Sequence, residues 1–308
     1  MALLLLRNDN RYDRWLDALK EVDPEMQVFT PETLEDRNKI TMALSWKAPK
    51  GSYDNLPNLK AIGSMGAGAD HLFEDPSLPE DVVLTRLVDD KLAGDMQEYV
   101  LTVCLSHIKH LDYYRDLQEA NTWKPKRYKR TENVQVGILG LGTLGQAVGK
   151  KLHNNGFKVS GYSHSRKEIE GITSCADGEM DEFLKDVDIL VCLLPLTENT
   201  RGILNVELFE KLPDGAYLVN VARGPHLVDD DLIKFLDSEK LSGATLDVFH
   251  QEPLPKDHPF WNHPKIKITP HVASMSSPSS VAPQIVDNYH RLEKGEELRN
   301  QVSREREY

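Results

Sequence analysis

The segment from Val134 to Gly145 constrains the fold more than any other part of the chain, because it joins a predicted strand to a predicted helix through spaced glycines. Its opening residues form a short apolar run, which is typical of a strand buried on both faces of a sheet. Gly140, Gly142 and Gly145 then form a G-x-G-x-x-G. In such a motif the first glycine makes a tight turn, the second lets a pyrophosphate approach the backbone, and the third lets the helix pack closely on the strand. The segment therefore predicts a dinucleotide-binding βαβ unit, with phosphates held at the helix N-terminus.

Composition limits the class of protein and the kind of partner. A chain of 308 residues is long enough for two domains with separate cores. Its net charge of -12 argues against nucleic acid or an anionic membrane surface as a partner, and no apolar run reaches the length of a membrane span. The three cysteines, Cys104, Cys175 and Cys192, are far apart and match no disulfide or metal-binding spacing. We therefore expect a cytoplasmic protein with reduced thiols and no metal site.

The alternation of apolar runs and helical patterns predicts two α/β domains. The first is predicted by short apolar runs at 3–6, 26–29, 42–45, 59–63 and 82–85. After the glycine motif the alternation resumes, with predicted strands at 157–163, 188–194, 216–222, 243–249 and 265–269. A last helical pattern at 281–292 lies beyond these strands, and we expect it to return to the first domain.

The predicted fold class is α/β. We expect a Rossmann-type doubly wound parallel sheet in a dinucleotide-binding domain at 93–274. A smaller flavodoxin-like α/β substrate domain would be discontinuous, formed by 1–92 plus 275–308.

One long helix is predicted from Ala93 to about Gln118, followed by a basic connector at 123–130. The helix carries more apolar surface than a helix with one face in water requires. A subunit interface and a buried core helix both explain this pattern. We expect a homodimer through residues 93–125, and we interpret the connector as a solvated linker rather than a binding patch.

Four polar features follow predicted strands of the second domain, where ligands of open parallel sheets bind. They are the run Ser163–Lys167, Arg223, Glu252 and His271. Each alone has an ordinary structural explanation, since a single arginine after a strand is usually solvated and a single histidine is usually structural. Three separate explanations of this kind would be needed for Arg223, Glu252 and His271, so we interpret these residues as one site.

The motifs of the second domain resemble those of the D-isomer-specific 2-hydroxyacid dehydrogenase family. Besides the glycine motif they are Leu194-Pro-Leu-Thr197, Val219-Asn-Val-Ala-Arg-Gly224, Asp247-Val-Phe-His-Gln-Glu-Pro253 and Thr269-Pro-His-Val272, in this order. The loop Gly66-Ala-Gly-Ala-Asp70 of the first domain fits too. Within the family, the branch of glyoxylate/hydroxypyruvate reductase A is most similar in Trp46, Ser163-His-Ser-Arg-Lys167 and the tail residues 292–296 and 301–302.

The resemblance implies catalytic roles for three residues. Reduction of a 2-keto acid requires a hydride at the carbonyl carbon and a proton for the nascent alkoxide. His271 matches the family's general acid, a role for which an imidazole is suited because its ordinary pKa lies near neutral pH. Glu252 matches the carboxylate that orients the imidazole and favours its protonated form. Arg223 matches the residue that clamps the substrate, because a guanidinium can hold a carboxylate with two hydrogen bonds.

The resemblance also implies a substrate set and a cofactor set. Met65 and Gly66 would offer backbone N–H groups to the substrate carboxylate, in a set completed by Trp46, Ala67 and Gly68. Asp247 would lie near the nicotinamide carboxamide. The full set of implied cofactor contacts is Gly140, Leu141, Gly142, Thr143, Leu144, Gly145, Ser163, Arg166, Lys167, Leu194, Pro195, Thr200, Val221, Ala222 and Asp247.

One position governs the choice of nicotinamide cofactor. The second strand of the βαβ unit ends at Ser163, where NAD-using relatives carry an acid that binds the ribose 2′-hydroxyl. A serine does not repel a 2′-phosphate, and Arg166 and Lys167 follow directly. These residues predict NADPH as the preferred cofactor, with NADH as the second candidate.

The predicted function is NADPH-dependent reduction of small 2-keto acids, such as glyoxylate or hydroxypyruvate, to D-2-hydroxy acids. A reductase of bulkier aryl keto acids is a second candidate, because the volume of the pocket depends on loops that the sequence does not place. A cofactor-sensing binding protein of the co-repressor type is a third. Such relatives, however, look NADH-like at the end of the second strand and carry an extended tail. Formate dehydrogenase is disfavoured, because Glu252 stands where that branch has a glutamine.

Overall fold

The computed structural model describes all residues from Met1 to Tyr308. The chain forms two compact units, one of Met1–Leu92 with Ser276–Tyr308 and one of Ala93–Met275. Met275 thus lies in the second unit, whereas the sequence interpretation placed it in the first. Each unit is built on its own parallel sheet.

The first unit has a five-stranded parallel sheet with the flavodoxin-like strand order. Its elements up to residue 85 are β1 (Ala2–Arg7), α1 (Asp13–Val22), β2 (Val28–Phe29), β3 (Ile40–Trp46), β4 (Ala61–Ser64), α2 (Asp70–Phe73) and β5 (Val83–Thr85). The order across the sheet is β2-β1-β3-β4-β5. Residues 2–6 of β1 are all buried, as the unbroken run of apolar side chains predicts for a central parallel strand.

The second unit has a seven-stranded parallel sheet. Its elements are α3 (Asp90–Ile108, which begins in the first unit), α4 (Leu111–Glu119), β6 (Gln135–Leu139), α5 (Thr143–Asn154), β7 (Lys158–Tyr162), β8 (Ile172–Cys175), α6 (Met180–Leu184), β9 (Ile189–Cys192), α7 (Val206–Lys211), β10 (Ala216–Asn220), α8 (Asp229–Asp237), β11 (Leu241–Leu246) and β12 (Ile266–Ile268). The order is β12-β11-β10-β9-β6-β7-β8. The strand order reverses between β6 and β9, and ligands of doubly wound sheets bind beyond the carboxyl ends of the strands at such a point.

The last helix, α9 (Pro278–Lys294), belongs to the first unit, as its apolar spacing and the predicted return of the chain indicate. Its residues Val281, Ile285 and Tyr289 are buried in the same apolar cluster as α1. The Tyr289 hydroxyl donates to the carbonyl oxygen of Met1 at 2.8 Å. Gly295, with a φ of 69°, ends the helix in the left-handed conformation that a glycine adopts without strain.

The prediction of one helix over 93–118 is wrong, because two helices, α3 and α4, replace it. His110 interrupts them with a φ of 57°, a conformation that a helix cannot continue. Val100, Cys104 and Ile108 of α3 are buried in the core of the second unit, which explains the apolar surface of that segment. In α4 no residue is buried, and Leu111 is 56% exposed. The core-helix interpretation therefore applies to the buried face of α3, and the interface through residues 93–125 stays a prediction. None of the helices is both long and apolar enough to cross a membrane.

Candidate active site

The glycine motif forms the turn from β6 into α5, and each glycine has the environment that a dinucleotide requires. Gly140 has a φ of 102°, and a Cβ on Gly145 would lie 1.8 Å from the Gly140 carbonyl oxygen. A Cβ on Gly142, by contrast, would meet no atom within 4 Å, and no side chain caps the helix that begins at Thr143. Open space above Gly142 and uncapped N–H groups at the start of α5 suit a pyrophosphate. These residues therefore fit the cofactor that the motif implies.

Ser163 lies directly after β7, at the edge where the adenosine ribose of a dinucleotide binds in this fold. Its hydroxyl donates to the Ser165 carbonyl oxygen at 2.9 Å. Its N–H donates to the Cys175 carbonyl oxygen at 3.1 Å, which extends the pairing of β7 with β8. Lys167 reaches back to the glycine motif, where its Nζ donates to the Leu141 carbonyl oxygen at 2.8 Å. The structure thus brings Ser163 and Lys167 to the same edge of the sheet as the glycine motif.

Arg166 lies at this edge too, but it has an acidic partner that the sequence interpretation missed. Its Nη1 donates to the Ser174 carbonyl oxygen at 3.0 Å, and its Nη2 forms an ion pair with Glu179. The other carboxylate oxygen of Glu179 accepts a hydrogen bond from the N–H of Ala176 at 2.7 Å. Arg166 is therefore held by β8 itself and by the segment that follows it.

A second carboxylate, Asp177, follows β8 in the same way. It forms an ion pair with His164 and accepts a hydrogen bond of 3.0 Å from the Tyr162 hydroxyl. Burial and this hydrogen bond raise the pKa of Tyr162 to about 12. Two acidic residues thus face the basic segment 163–167. The signal that could have found them is the short run at 172–175, because a strand there places the next residues beside the end of β7.

His271 and Glu252 form the pair that the sequence predicts. The His271 Nδ1 lies 2.9 Å from the Glu252 Oε2. Because a carboxylate only accepts hydrogen bonds, we assign the Nδ1 proton to this contact. The other oxygen of Glu252 accepts a hydrogen bond from the Phe249 N–H at 3.1 Å. A backbone group therefore fixes the carboxylate, and the carboxylate fixes the orientation of the imidazole ring.

Asp247 holds the loop that carries His271. Its carboxylate is 1% exposed and accepts three hydrogen bonds, from the Thr269 hydroxyl at 2.5 Å and from the N–H groups of Val272 and Ala273 at 2.9 Å each. His271 itself has a φ of 55°, which a residue with a side chain adopts only when its surroundings enforce it. The carboxylate of Asp247 thus stabilises an unfavourable backbone conformation at the proposed acid. Its contact with a nicotinamide stays a prediction.

Arg223 follows β10, next to the segment that carries Glu252. Its Nη1 donates to the Ala222 carbonyl oxygen at 2.7 Å, and its own carbonyl oxygen accepts from the Asn220 side-chain amide at 3.0 Å. A Cβ on Gly224 would lie 1.9 Å from the carbonyl carbon of Phe249. Only glycine permits this approach, so it brings the loop of Arg223 against the segment that precedes Glu252.

The remaining predicted cofactor residues of the second unit lie on the loops after β9 and β10. The Thr200 hydroxyl donates to the Pro195 carbonyl oxygen at 2.7 Å, which closes the loop that begins near Leu194. Val221 and Ala222 are buried directly after β10. All of these residues lie at the carboxyl end of the sheet, on the side where the glycine motif begins α5.

In the first unit, Trp46 and the glycine-rich loop form a second part of the predicted substrate set. A Cβ on Gly66 would lie 2.5 Å from the Trp46 ring, so glycine is required there for the indole to pack against the loop. The Trp46 ring also lies against His71, with ring centroids 5.1 Å apart. His71 was not predicted, and its position directly after the loop Gly66–Asp70 was the available signal.

The amides of the glycine-rich loop differ in whether they have a hydrogen-bond acceptor within the first unit, and their contact with a substrate carboxylate stays a prediction. The N–H of Met65 donates to the Ser45 carbonyl oxygen at 2.9 Å, since it continues the pairing of β4 with β3. The N–H of Gly66 donates to the Ser64 hydroxyl oxygen at 3.1 Å. The N–H groups of the next two residues, Ala67 and Gly68, make no hydrogen bond within the protein. Ala67 and Gly68, which belong to the predicted substrate set, are thus the loop residues whose N–H groups have no acceptor within the protein.

Cysteine chemistry has no place in this site. All three cysteines are unpaired and buried, and burial raises the pKa of Cys104 and of Cys192 to about 12. Such thiols are protonated at neutral pH and are poor nucleophiles. His271, Glu252 and Arg223, which follow strands of the second unit, stay the predicted catalytic residues.

A match to a protein family, a relative in sequence and two solved structures all point to the same family. The family described as "D-isomer specific 2-hydroxyacid dehydrogenase, NAD binding domain" matches residues 101–273. Glyoxylate/hydroxypyruvate reductase A of Serratia proteamaculans (strain 568) is 42% identical over 290 residues, which are 92% of each chain. A D-isomer specific 2-hydroxyacid dehydrogenase from Xanthobacter autotrophicus Py2, solved with NADPH and MES, superposes with a TM-score of 0.95 at 37% identity, over 100% of this chain and 99% of that one. The NADPH-dependent glyoxylate/hydroxypyruvate reductase of Sinorhizobium meliloti, solved with NADP and sulfate, gives 0.94 at 35% identity, with the same coverage.

Proposed function

Because the chain belongs to the D-isomer-specific 2-hydroxyacid dehydrogenase family, we propose that it reduces small 2-keto acids to D-2-hydroxy acids with NADPH. The observation that carries the proposal is the hydrogen bond of 2.9 Å between His271 and Glu252, on a loop that Asp247 holds in place. A proton donor with a fixed ring orientation, at the carboxyl ends of a dinucleotide-binding sheet, is what carbonyl reduction requires.

In this reaction His271 supplies the proton. A nicotinamide held at the carboxyl ends of this sheet would supply the hydride that the carbonyl carbon of the substrate needs. Negative charge then develops on the keto oxygen, and the Nε2–H of a protonated His271 donates a proton to it. Glu252 keeps its hydrogen bond with Nδ1 throughout, which holds the ring in place and sets the tautomer of the neutral ring after transfer.

Arg223 binds and orients the substrate. Its guanidinium can form two parallel hydrogen bonds with the 2-keto acid, one to the carboxylate and one to the adjacent keto oxygen. The hydrogen bond to the keto oxygen strengthens as that oxygen becomes negative, so it lowers the activation barrier as well as KM.

Three observations support NADPH as the cofactor. No carboxylate side chain follows β7 at position 163, where an acid would select NADH. Arg166 and Lys167 bring two positive charges to that edge of the sheet. The similar enzymes from Xanthobacter autotrophicus and Sinorhizobium meliloti were solved with NADPH and NADP.

Glyoxylate and hydroxypyruvate are the proposed substrates, because the curated relative at 42% identity carries both in its name. The position of Trp46 favours a small substrate, because its ring packs on the backbone of Gly66 and narrows the space beside the glycine-rich loop. Purified protein should be assayed with NADPH and with NADH against glyoxylate, hydroxypyruvate, pyruvate and phenylpyruvate. We expect the highest kcat/KM with NADPH and one of the first two. Efficient turnover of phenylpyruvate would favour the aryl reductase, and nicotinamide binding without turnover would favour the co-repressor type.

We also propose that the protein is a cytoplasmic homodimer. The buried, unpaired thiols agree with a reducing compartment. The exposed Leu111 of α4 and the exposed Trp123 and Tyr128 of the connector offer apolar surface for an interface. Sedimentation should give the mass of a dimer, and Trp123→Glu should shift it towards that of the 34.9 kDa monomer.

A further inference from the structure

Two hydroxyl groups connect the helix α3 to the carboxylate of Asp247. The Tyr99 hydroxyl lies 2.6 Å from the Thr269 hydroxyl, which in turn lies 2.5 Å from the Asp247 Oδ1. Tyr99 belongs to α3, Thr269 follows β12 and Asp247 follows β11. All three residues lie in the second unit. We call this arrangement the Tyr99–Thr269–Asp247 chain.

The chemistry of the three groups fixes the direction of both hydrogen bonds. A carboxylate only accepts, so the single proton of the Thr269 hydroxyl points at Asp247. The Thr269 oxygen then accepts, and Tyr99 must donate its own proton to it. Burial raises the pKa of the Tyr99 hydroxyl, and the charge of Asp247 adds to this effect. The phenol therefore keeps its proton at neutral pH and remains a donor.

The chain ends at the loop that carries the proposed proton donor. The Asp247 Oδ1 that accepts from Thr269 also accepts from the Val272 N–H at 2.9 Å. The backbone carbonyl oxygen of Asp247 accepts from the His271 N–H at 2.8 Å. Hydrogen bonds in series polarise and strengthen one another. Tyr99 thus helps to fix the carboxylate on which the unfavourable backbone conformation of His271 depends.

The helix α3 is a firm anchor for this chain. Its residues Val100 and Cys104, next to and near Tyr99 in sequence, are buried in the core of the second unit. The loop at the other end is less well packed, because Val272 is 43% exposed. Packing alone holds such a segment weakly. The two hydroxyls therefore tie a surface segment with a strained residue to a buried helix.

We propose that Tyr99 is a positioning residue for His271, which it orients through Thr269 and Asp247. This inference rests on the proposed function. Tyr99 touches no reacting atom; it sets where the imidazole stands when the proton is transferred. Its loss therefore slows the chemical step and leaves the binding of substrate and cofactor intact.

The test compares Tyr99→Phe with wild type, and Tyr217→Phe serves as a matched control. The Tyr217 hydroxyl lies 2.8 Å from the Thr245 hydroxyl in the same unit, and neither of these two hydroxyls donates to Asp247. Each variant thus removes one hydroxyl from a tyrosine–threonine pair, and only one of the two pairs leads to Asp247. Thr269→Val and Thr269→Ser probe the middle of the chain.

The kinetic readouts are the rate of a single turnover of NADPH at saturating glyoxylate, the KM for glyoxylate and the Kd of NADPH. We expect Tyr99→Phe to slow the single turnover by about threefold to tenfold, the range of one neutral hydrogen bond. Thr269→Val removes the donor to the carboxylate itself, so a loss of about tenfold to a hundredfold is expected. Thr269→Ser keeps the hydroxyl and should stay within about twofold of wild type, as should the KM and the Kd of NADPH in Tyr99→Phe.

The double variant Tyr99→Phe with Thr269→Val separates a chain from two independent effects. If Tyr99 acts through Thr269, the double variant should be as slow as Thr269→Val alone, whereas independent effects would multiply. Hydrogen exchange gives a readout that needs no turnover. The amides of Val272 and Ala273, which donate to Asp247, should exchange faster by about threefold to tenfold in Tyr99→Phe and at the wild-type rate in Tyr217→Phe.

A single turnover of Tyr99→Phe within about 1.5-fold of wild type would overturn the proposal. An equal slowing in Tyr217→Phe would do so too, and so would multiplied effects in the double variant. If Tyr99→Phe does not fold, a Thr269→Val variant as fast as Thr269→Ser would overturn the chain, and the expected gap between them would support it. Failure of the proposed function would appear as a wild type that reduces no 2-keto acid, and the exchange rates at 272–273 would still decide whether Tyr99 holds the loop.

Discussion

Arg166→Ala tests how the protein selects its cofactor, and the structure sets the size of the effect. A charge-assisted hydrogen bond from Arg166 to a 2′-phosphate would contribute about 1.5–3 kcal/mol. Arg166 must share its guanidinium with Glu179, or leave it, to make that bond. The two side chains are 62% and 37% exposed, so giving up their ion pair costs only about 0–1 kcal/mol. The net contribution is about 0.5–3 kcal/mol, which is roughly 2-fold to 160-fold in the Kd of NADPH.

The companion change, Ser163→Asp, should act in the opposite sense. It places a carboxylate directly after β7, where it can accept a hydrogen bond from the 2′-hydroxyl of NADH and repel the 2′-phosphate of NADPH. We expect NADH to bind more tightly and NADPH more weakly. The double variant should prefer NADH, although two sites this close need not be additive.

Both effects can be measured by fluorescence titration of NADPH and NADH against each variant. Lys185→Ala is the control, because Lys185 is an exposed cation of the same unit that pairs with Glu182 at 2.5 Å and so tests a non-specific loss of charge. NADH binding should change by less than about twofold in Arg166→Ala, and the NADPH effect should shrink with salt. If Arg166→Ala weakens both cofactors equally, or if wild type binds NADH as tightly as NADPH, the 2′-phosphate assignment is refuted.

Three further predictions concern catalysis and stability. His271→Ala should lower kcat by about a hundredfold to ten-thousandfold, with the Kd of NADPH little changed, and near-normal turnover would reject His271 as the acid. Arg223→Lys should lower kcat/KM by about tenfold or more for every 2-keto acid, because it loses the planar guanidinium, and equal activity would show that Arg223 does not hold the substrate. Burial against Tyr217, with ring centroids 3.9 Å apart, lowers the pKa of His107 from 6.5 to about 4. The neutral ring therefore contributes stability that is fully present above pH 6.5 and is lost as the pH falls towards 4. Between pH 7 and pH 5, the unfolding free energy of wild type should therefore fall by about 2 kcal/mol more than that of His107→Phe, as measured by urea unfolding. An equal fall in the two proteins would contradict this.

The glycine motif and most strands could be predicted, because the residue patterns that indicate them lie within short segments of the chain. A strand buried on both faces needs an unbroken apolar run, and β1, β6, β9 and β10 have one. The spacing of the motif reflects a local contact, because a Cβ on Gly145 would lie 1.8 Å from the Gly140 carbonyl oxygen. The strand ends then follow, and with them the edge of the sheet at which Arg223, Glu252 and His271 lie.

The parts that the sequence did not predict depend on neighbours that are distant in the chain. Glu179 reaches Arg166 only because β8 pairs with β7, and β8 has only four residues of mixed polarity, which give a weak strand pattern. The amide of Met65 is used because β4 continues its register with β3 up to Ser45. The register between neighbouring strands is set by packing across the sheet, and the sequence of a single strand does not reveal it.

The geometry of the proposed catalytic residues depends on one short segment, 247–252. Asp247 fixes the loop of His271, the N–H of Phe249 fixes the carboxylate of Glu252, and the carbonyl carbon of Phe249 is the atom that Gly224 approaches. Three loops that are far apart in the chain are thus positioned by contacts with the same few residues, most of them backbone contacts. A chain that kept the three reacting side chains but lost Asp247 or Gly224 would therefore lose their arrangement. This is why the resemblance lies in whole motifs around Arg223, Glu252 and His271, and why such motifs identify the site better than the three residue types alone.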